Sequence, residues 1–237
     1  LSPSKFLNIL HKCNENPETK ILDDITEEIY EGVASGNDDV FYFTEEEIDM
    51  LKLERNLLFP IIMGKEIKRW QFQDETKYVI LYPYDLATTD LVDIKTIKNK
   101  YPKIHNYLQS RKQDLSGRDY FDETGKEWYE LWRPREAHLF TSHQIICPYV
   151  SNHNNFCIAP RNYIFNTTVY GIVSHDYDVY YLLAVLNSKL LEFLLKLISV
   201  KQRGGYFRYA TDFLKNLPIH IKPKNFKTKL RFLTHQI

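Results

Sequence analysis

The sequence predicts an α+β domain, a mixed and largely antiparallel β-sheet packed around one long buried helix over about residues 179–200. Three observations predict it. Short runs rich in β-branched and aromatic residues recur between residues 40 and 174, parted by turn residues. Residues 179–200 are almost wholly Leu, Val, Ile, Ala, Tyr and Phe outside a stripe of Ser188, Glu192, Lys196 and Ser199, so a helix there is buried on most sides. With 43% hydrophobic and 26% charged residues in 237, the chain is of a folded, non-disordered kind and can bury a substantial core.

The elements follow in order. Residues 4–13 form a short helix that Asn14-Glu15-Asn16-Pro17 ends. Residues 21–30 carry apolar residues at mixed spacing and lead into a turn-rich loop over 31–37. Residues 40–43 make a short strand. Thr44 with Glu47 three positions on forms a capping box, which opens a helix running to about Leu53. Residues 57–62 and 77–82 are strands. Residues 92–112 are helical on both sides of Pro102, which sits at a helix start or kink. A polar, turn-prone stretch covers 113–126. Residues 143–150, 155–160 and 168–174 are three strands of an antiparallel meander. After the core helix comes a basic, aromatic, glycine-hinged loop, 201–209. Thr211 or Asp212 then caps a final short helix, and Leu217-Pro218-Ile219 closes the domain.

The net charge of zero hides a gradient. Residues 1–100 hold 12 Lys+Arg against 20 Asp+Glu, and residues 101–237 hold 19 against 11. A basic half of this kind is the footprint of a polyanion partner, or else the effect of a lysine-rich tail (Lys222, Lys224, Lys227, Lys229). Three cysteines without framework spacing and no signal peptide point to a reducing, cytoplasmic setting. The Asn187-Ser188-Lys189 break, with Glu192 and Lys196, argues against a membrane span. A start at Leu1 reads as a fragment of a longer protein.

No catalytic motif is visible. The chain has no phosphate-cradling loop, no nucleophile elbow and no Asn-Pro-Pro-Tyr/Phe tetrapeptide. His143, Cys147, His153 and Cys157 have a zinc-compatible spacing, but His143, Ile145, Cys147 and Tyr149 also alternate along one strand face, where Cys acts as a small hydrophobe. Glu66-Ile67-Lys68 matches the end of a metal-dependent nuclease pattern without its partner acid. In the loop after the core helix, Lys201, Arg203 and Arg208 can neutralise phosphates, while Gly204 and Gly205 permit close backbone approach. Tyr206, Phe207 and Tyr209 can stack on a ligand or pack on the core.

Four stretches then resemble one family in its own order. Residues 29–41, Ile-Tyr-Glu-Gly-Val-Ala-Ser-Gly-Asn-Asp-Asp-Val-Phe, are similar to its G-I-x-T-G-x-N-x-V-F entry segment. Residues 58–70 resemble L-x-P-x-x-x-G-x-D-I-x-R-Y/W, and 143–151 resemble K-I-I-x-P-x-I-S. Residues 181–190, Tyr-Leu-Leu-Ala-Val-Leu-Asn-Ser-Lys-Leu, with Gly204-Gly205-Tyr206 and Leu217-Pro218-Ile219, resemble its ending. Ala34-Ser35-Gly36 and His143-Gln144 depart from the pattern. The resemblance is to the TaqI-like C-terminal specificity domain of type IIG restriction–modification enzymes and adenine-specific DNA methyltransferases.

That resemblance implies one target-recognition domain over residues 1–237 that clamps double-stranded DNA against a methyltransferase domain of the same chain. It would read base edges while the partner domain flips an adenine. S-adenosylmethionine and Mg²⁺ are implied for the parent enzyme, neither held here. Lys68, Arg69, Lys201, Arg203 and Arg208 are the expected phosphate contacts, with Tyr206 beside them. Arg133, Arg135 and Arg161 are the expected base readers, since Arg suits guanine O6 and N7. Two other readings stay open: a metal-dependent nuclease acting through Glu66, and a protein-interaction scaffold without DNA affinity.

Overall fold

Two four-stranded sheets and two hydrophobic cores organise the computed structural model, which describes residues 3–73, 76–116, 118, 124–175 and 177–221. Helix α1 (Pro3–Asn14) leads to strands β1 (Thr19–Ile21) and β2 (Thr26–Glu31). Then come α2 (Asp38–Phe41), β3 (Tyr42–Phe43), α3 (Glu45–Leu51), β4 (Leu58–Ile62) and β5 (Val79–Leu81). Helices α4 (Ile94–Lys100), α5 (Pro102–Ser110), α6 (Lys112–Ser116) and α7 (His138–Thr141) precede β6 (Ile145–Pro148). Strands β7 (Val150–Ser151), β8 (Cys157–Ile158), β9 (Ile164–Phe165) and β10 (Val169–Ser174) follow. The chain ends in α8 (Val179–Leu186), α9 (Lys189–Ile198), β11 (Phe207–Arg208), α10 (Thr211–Leu214) and β12 (Pro218–His220).

One sheet has the order β2-β10-β6-β8 and is antiparallel throughout. The other has the order β3-β5-β4-β9, in which only the β4–β9 pair is parallel. The mixed, largely antiparallel α+β prediction holds. The first sheet is the wall shared by both cores, and strand alternation assigns its two faces. Ile29, Ile145, Cys147, Tyr170 and Ile172 enter the core covered by α8 and α9. Tyr30, Ile146, Val169 and Val173 enter the core shared with the second sheet and α4–α5.

Several expectations need correction. The long helix over 179–200 is two helices. Asn187 and Ser188 interrupt it: Asn187 turns its amide onto the main chain of Phe156, and Ser188, in extended conformation, caps α9 by accepting from Leu191 N–H at 3.2 Å. A hydrogen-bonding pair inside an apolar run thus competes with the helix and wins. The run 143–174 is not a meander, because β9 leaves for the other sheet and β10 returns on the far side of β6 from β8. Residues 38–41 are a helical turn, since Val40 and Phe41 donate to Asn37 O at 3.2 Å, and only Tyr42–Phe43 pairs with β5. Neither Thr211 nor Asp212 caps α10. Ala210 precedes it without a side-chain cap, and the Thr211 hydroxyl donates to Ile29 O at 3.5 Å instead. Part of the 113–126 stretch and the four tail lysines lie outside the described residues.

The capping box is present: Glu47 N–H donates to Thr44 Oγ1 at 3.3 Å, and Thr44 N–H to Glu47 Oε2 at 2.8 Å. Pro102 opens α5 as its first residue, where its missing N–H costs nothing. Thr44→Ala is expected to destabilise the domain by about 1 kcal/mol, read as a lower urea midpoint with an unchanged slope.

Candidate nucleic-acid interface

Three loops, with Thr168 from the β9–β10 turn, converge on one open groove of about 610 Å³. The turn after β4 supplies Gly64, Lys65, Ile67 and Lys68. The β6–β8 connection supplies Tyr149, Ser151, Asn152 and Asn155, and the glycine loop supplies Tyr206. Each segment has a local reason for its place. Gly64 N–H donates to Thr168 Oγ1 at 2.9 Å, and Glu66, buried, accepts the Met63 N–H at 2.8 Å, so the first turn is closed on both sides. Gly204 and Gly205 adopt φ of 79° and 82°, left-handed values that favour glycine and swing Tyr206 out to 42% exposure. β11 pairs with β7, which sets this loop against the β6–β8 connection.

A buried polar hub beneath the groove fixes these segments. Asn154 donates to Leu186 O at 2.6 Å and accepts the Tyr209 hydroxyl at 2.9 Å. Asn187 donates to Phe156 O at 2.9 Å and accepts Phe156 N–H at 3.1 Å. Trp70 N–H also reaches Phe156 O at 2.9 Å, and the Arg69 guanidinium donates to Asn187 O. Trp70 is held at φ 74°, a left-handed backbone that costs on the order of 1–3 kcal/mol for a bulky residue and persists only where the surroundings fix it. On the outer side Glu192 receives Lys196 and, at 3.4 Å, His153. Burial pushes the Glu192 carboxyl pKa up, but the hydrogen bonds from Lys196 and His153 outweigh that and leave it below its usual value.

The expected site residues divide. Lys68 and Tyr206 line the groove. The Arg208 guanidinium sits 5.9 Å from the centroid of the Tyr149 ring, at the groove's edge. Lys201 and Arg203 are exposed in the same loop as Tyr206. Arg69 is committed to Asn187 O and lies 5.5 Å over Trp70. Arg133 and Arg135 are not beside the groove's lining but share one carboxylate, Glu31, at 3.0 and 3.5 Å. Arg161 is exposed in the β8–β9 turn, away from the lining. Lys65, Asn152 and Asn155 were missed. Lys65 and its stretch were in view as part of a motif, but nothing in sequence joins residue 65 to residue 152.

The described residues do not assemble either metal site. Cys147 and Cys157 enter opposite cores, and burial pushes the Cys157 thiol up to about 12 and Cys147 well above its ordinary value. His153 faces Glu192 instead, and among the described residues no three His, Cys, Asp or Glu stand together as ligands. Glu66 is used by the main chain of its own turn. The Gly204-Gly205 turn follows a helix and leads into the short β11, so it is no strand-loop-helix phosphate cradle. Among the described residues no set of side chains fits Mg²⁺ or S-adenosylmethionine. Among the described residues no helix is long and apolar enough to cross a membrane.

A family model for the TaqI-like C-terminal specificity domain matches residues 59–219. The chain belongs to that family. This specificity domain is 25% identical over 188 residues to the type II methyltransferase M.PaeR7I of Pseudomonas aeruginosa, covering 79% of the chain and 31% of the relative. It is 26% identical over 159 residues to RM.Eco57I of Escherichia coli, a type II restriction enzyme and methyltransferase, covering 61% of the chain and 16% of the relative. The domain thus spans a third or less of these relatives' length. Its fold is that of a part of the type IIG restriction endonuclease BpuSI, with TM-score 0.61, 14% identity, and coverage of 98% and 28%. It is also that of a part of the type IIL restriction–modification enzyme MmeI, solved in complex with DNA, with TM-score 0.65, 14% identity, and coverage of 91% and 28%.

Proposed function

We propose that this specificity domain is the double-stranded DNA target-recognition module of a restriction–modification enzyme. In this reading residues 1–237 are one domain of a longer cytoplasmic protein. A methyltransferase domain of the same chain carries out adenine methylation with S-adenosylmethionine, and Mg²⁺ serves cleavage elsewhere in that protein. The observation that carries the reading is the groove itself: within a family of specificity domains, three loops bring Lys65, Lys68, Tyr149, Tyr206 and Arg208 to one open surface. Lysines and an arginine suit phosphates, aromatic rings suit sugars and bases, and the hub beneath keeps the surface rigid. Lys201 and Arg203 extend the same face. Arg69, Arg133 and Arg135 are already engaged within the chain, which favours the groove over them as the DNA face.

The test is fluorescence anisotropy with random-sequence duplex DNA across a salt series, without added metal. Affinity is expected to fall steeply as salt rises. Lys68→Ala and Arg208→Ala should each reduce the slope of log affinity against log salt by about one unit. Unchanged slopes remove those residues from the interface. No binding at the lowest salt overturns the DNA reading in favour of a protein-interaction scaffold.

A further inference from the structure

Resting on the DNA reading above, we infer that Asn152 is a base-reading side chain of this domain, matched to the adjacent donor and acceptor on the major-groove edge of adenine. The argument begins with what surrounds it. Ser151 Oγ accepts His153 N–H at 3.4 Å and Asn155 Nδ2 at 3.0 Å. Asn154 is fully buried and bonded to Leu186 O and Tyr209, and Phe156 is held by Asn187. The loop is therefore pinned on both sides of Asn152. Asn152 itself is exposed, lines the groove, and makes no side-chain hydrogen bond among the described residues.

The other polar lining groups are tied to the chain, carry donors only, or offer a single hydroxyl, as Tyr149 and Tyr206 do. Thr168 Oγ1 is taken by Gly64 N–H and Asn166. Asn155 is half-buried, and its Nδ2 donates to Ser151 Oγ at 3.0 Å, which ties that amide to its own loop. Lys65 and Lys68 carry donors only, which suits phosphate. Asn152 presents one donor group and one acceptor, unspent, and adenine offers N7 as acceptor and N6–H as donor in matching geometry. A pinned loop holding such a group in a groove that Lys65 and Lys68 also line has the form direct readout requires.

The experiment selects bound sequences from a randomised duplex pool with the unaltered chain and with Asn152→Ala, then measures affinity for the selected duplex and its single-base replacements. The unaltered chain should restrict one position to adenine, and replacing that base should weaken binding roughly five- to hundredfold. Asn152→Ala should accept all four bases there, with the same salt slope and thermal midpoint. Retained adenine preference in Asn152→Ala, or no adenine-restricted position in the unaltered chain, overturns the inference. Salt-dependent but sequence-blind binding sinks the role of Asn152 and leaves the DNA contact standing. Absence of any binding at low salt removes both.

Discussion

Gly32→Ala is expected to be the most damaging single-methyl change in this domain. A Cβ at Gly32 would stand 2.2 Å from Phe165 O, 2.3 Å from Asn166 O and 2.7 Å from Asn166 C. All three are main-chain atoms, so no side-chain rotation relieves the clash. The contact also joins the two sheets: Val33 N–H donates to Phe165 O of β9 at 2.7 Å, while Gly32 N–H stays within the first sheet and donates to Val169 O of β10 at 3.0 Å. To admit the methyl group, β9 must move off the end of β2. Such a move also disturbs Asn166, whose Oδ1 accepts from Thr168 N–H and hydroxyl. Thr168 in turn anchors Gly64 at the groove. Overpacking against fixed backbone costs about 3 kcal/mol or more. For a domain of this size that lowers the thermal midpoint by roughly 6–12 °C. Gly205→Ala is the control. It meets nothing within 4 Å and bears only the strain of its left-handed φ of 82°, about 1 kcal/mol. Equal thermal midpoints for the two variants would show that close approach at Gly32 is not what matters.

Asn187→Leu is expected to be the most damaging change among the polar residues of the hub. The side chain is completely buried, and it accepts Phe156 N–H while donating to Phe156 O. Leucine keeps the branched four-atom skeleton and suits the apolar helix on either side, though its methyl ends are bulkier than an amide. The loss is therefore mainly of hydrogen bonds, with some overpacking added. Phe156 O keeps Trp70 N–H as a donor, but Phe156 N–H is left without an acceptor. An orphaned buried donor costs about 1–3 kcal/mol, and the lost bonds add to it, for about 3 kcal/mol in all. The variant also removes the reason for the helix break, so α8 and α9 lose their fixed angle and the groove loops above lose their seat. Urea unfolding should show the lower midpoint, and DNA affinity should fall alongside it. Ser188→Ala, which removes only the α9 cap, should cost about 1 kcal/mol and leave affinity unchanged. If Asn187→Leu is no worse than Ser188→Ala, the hub does not hold the site.

The family, the α+β class and most strands were legible because they rest on local signals. The Thr44 capping box, Pro102 at a helix start and the alternation through Ile145 and Cys147 each need only a few neighbouring residues. The break at Asn187 was visible as a polar interruption, but its effect was not. An apolar run of this length favours one helix until Phe156, 31 positions away, offers its main chain to the amide. The arginines show the same limit. Arg133 and Arg135 look like free readers in sequence, and only folding brings Glu31 within 3.0 and 3.5 Å to neutralise them. Likewise Lys65, Lys68, Asn152 and Tyr206 share a surface that no spacing encodes. The sequence by itself determined the family, the α+β class and the place of most helices and strands, since those follow from short-range periodicity and turn chemistry. The tertiary structure alone decided which charges stay free and which loops meet, because ion pairing and buried hydrogen bonds depend on distances that folding sets.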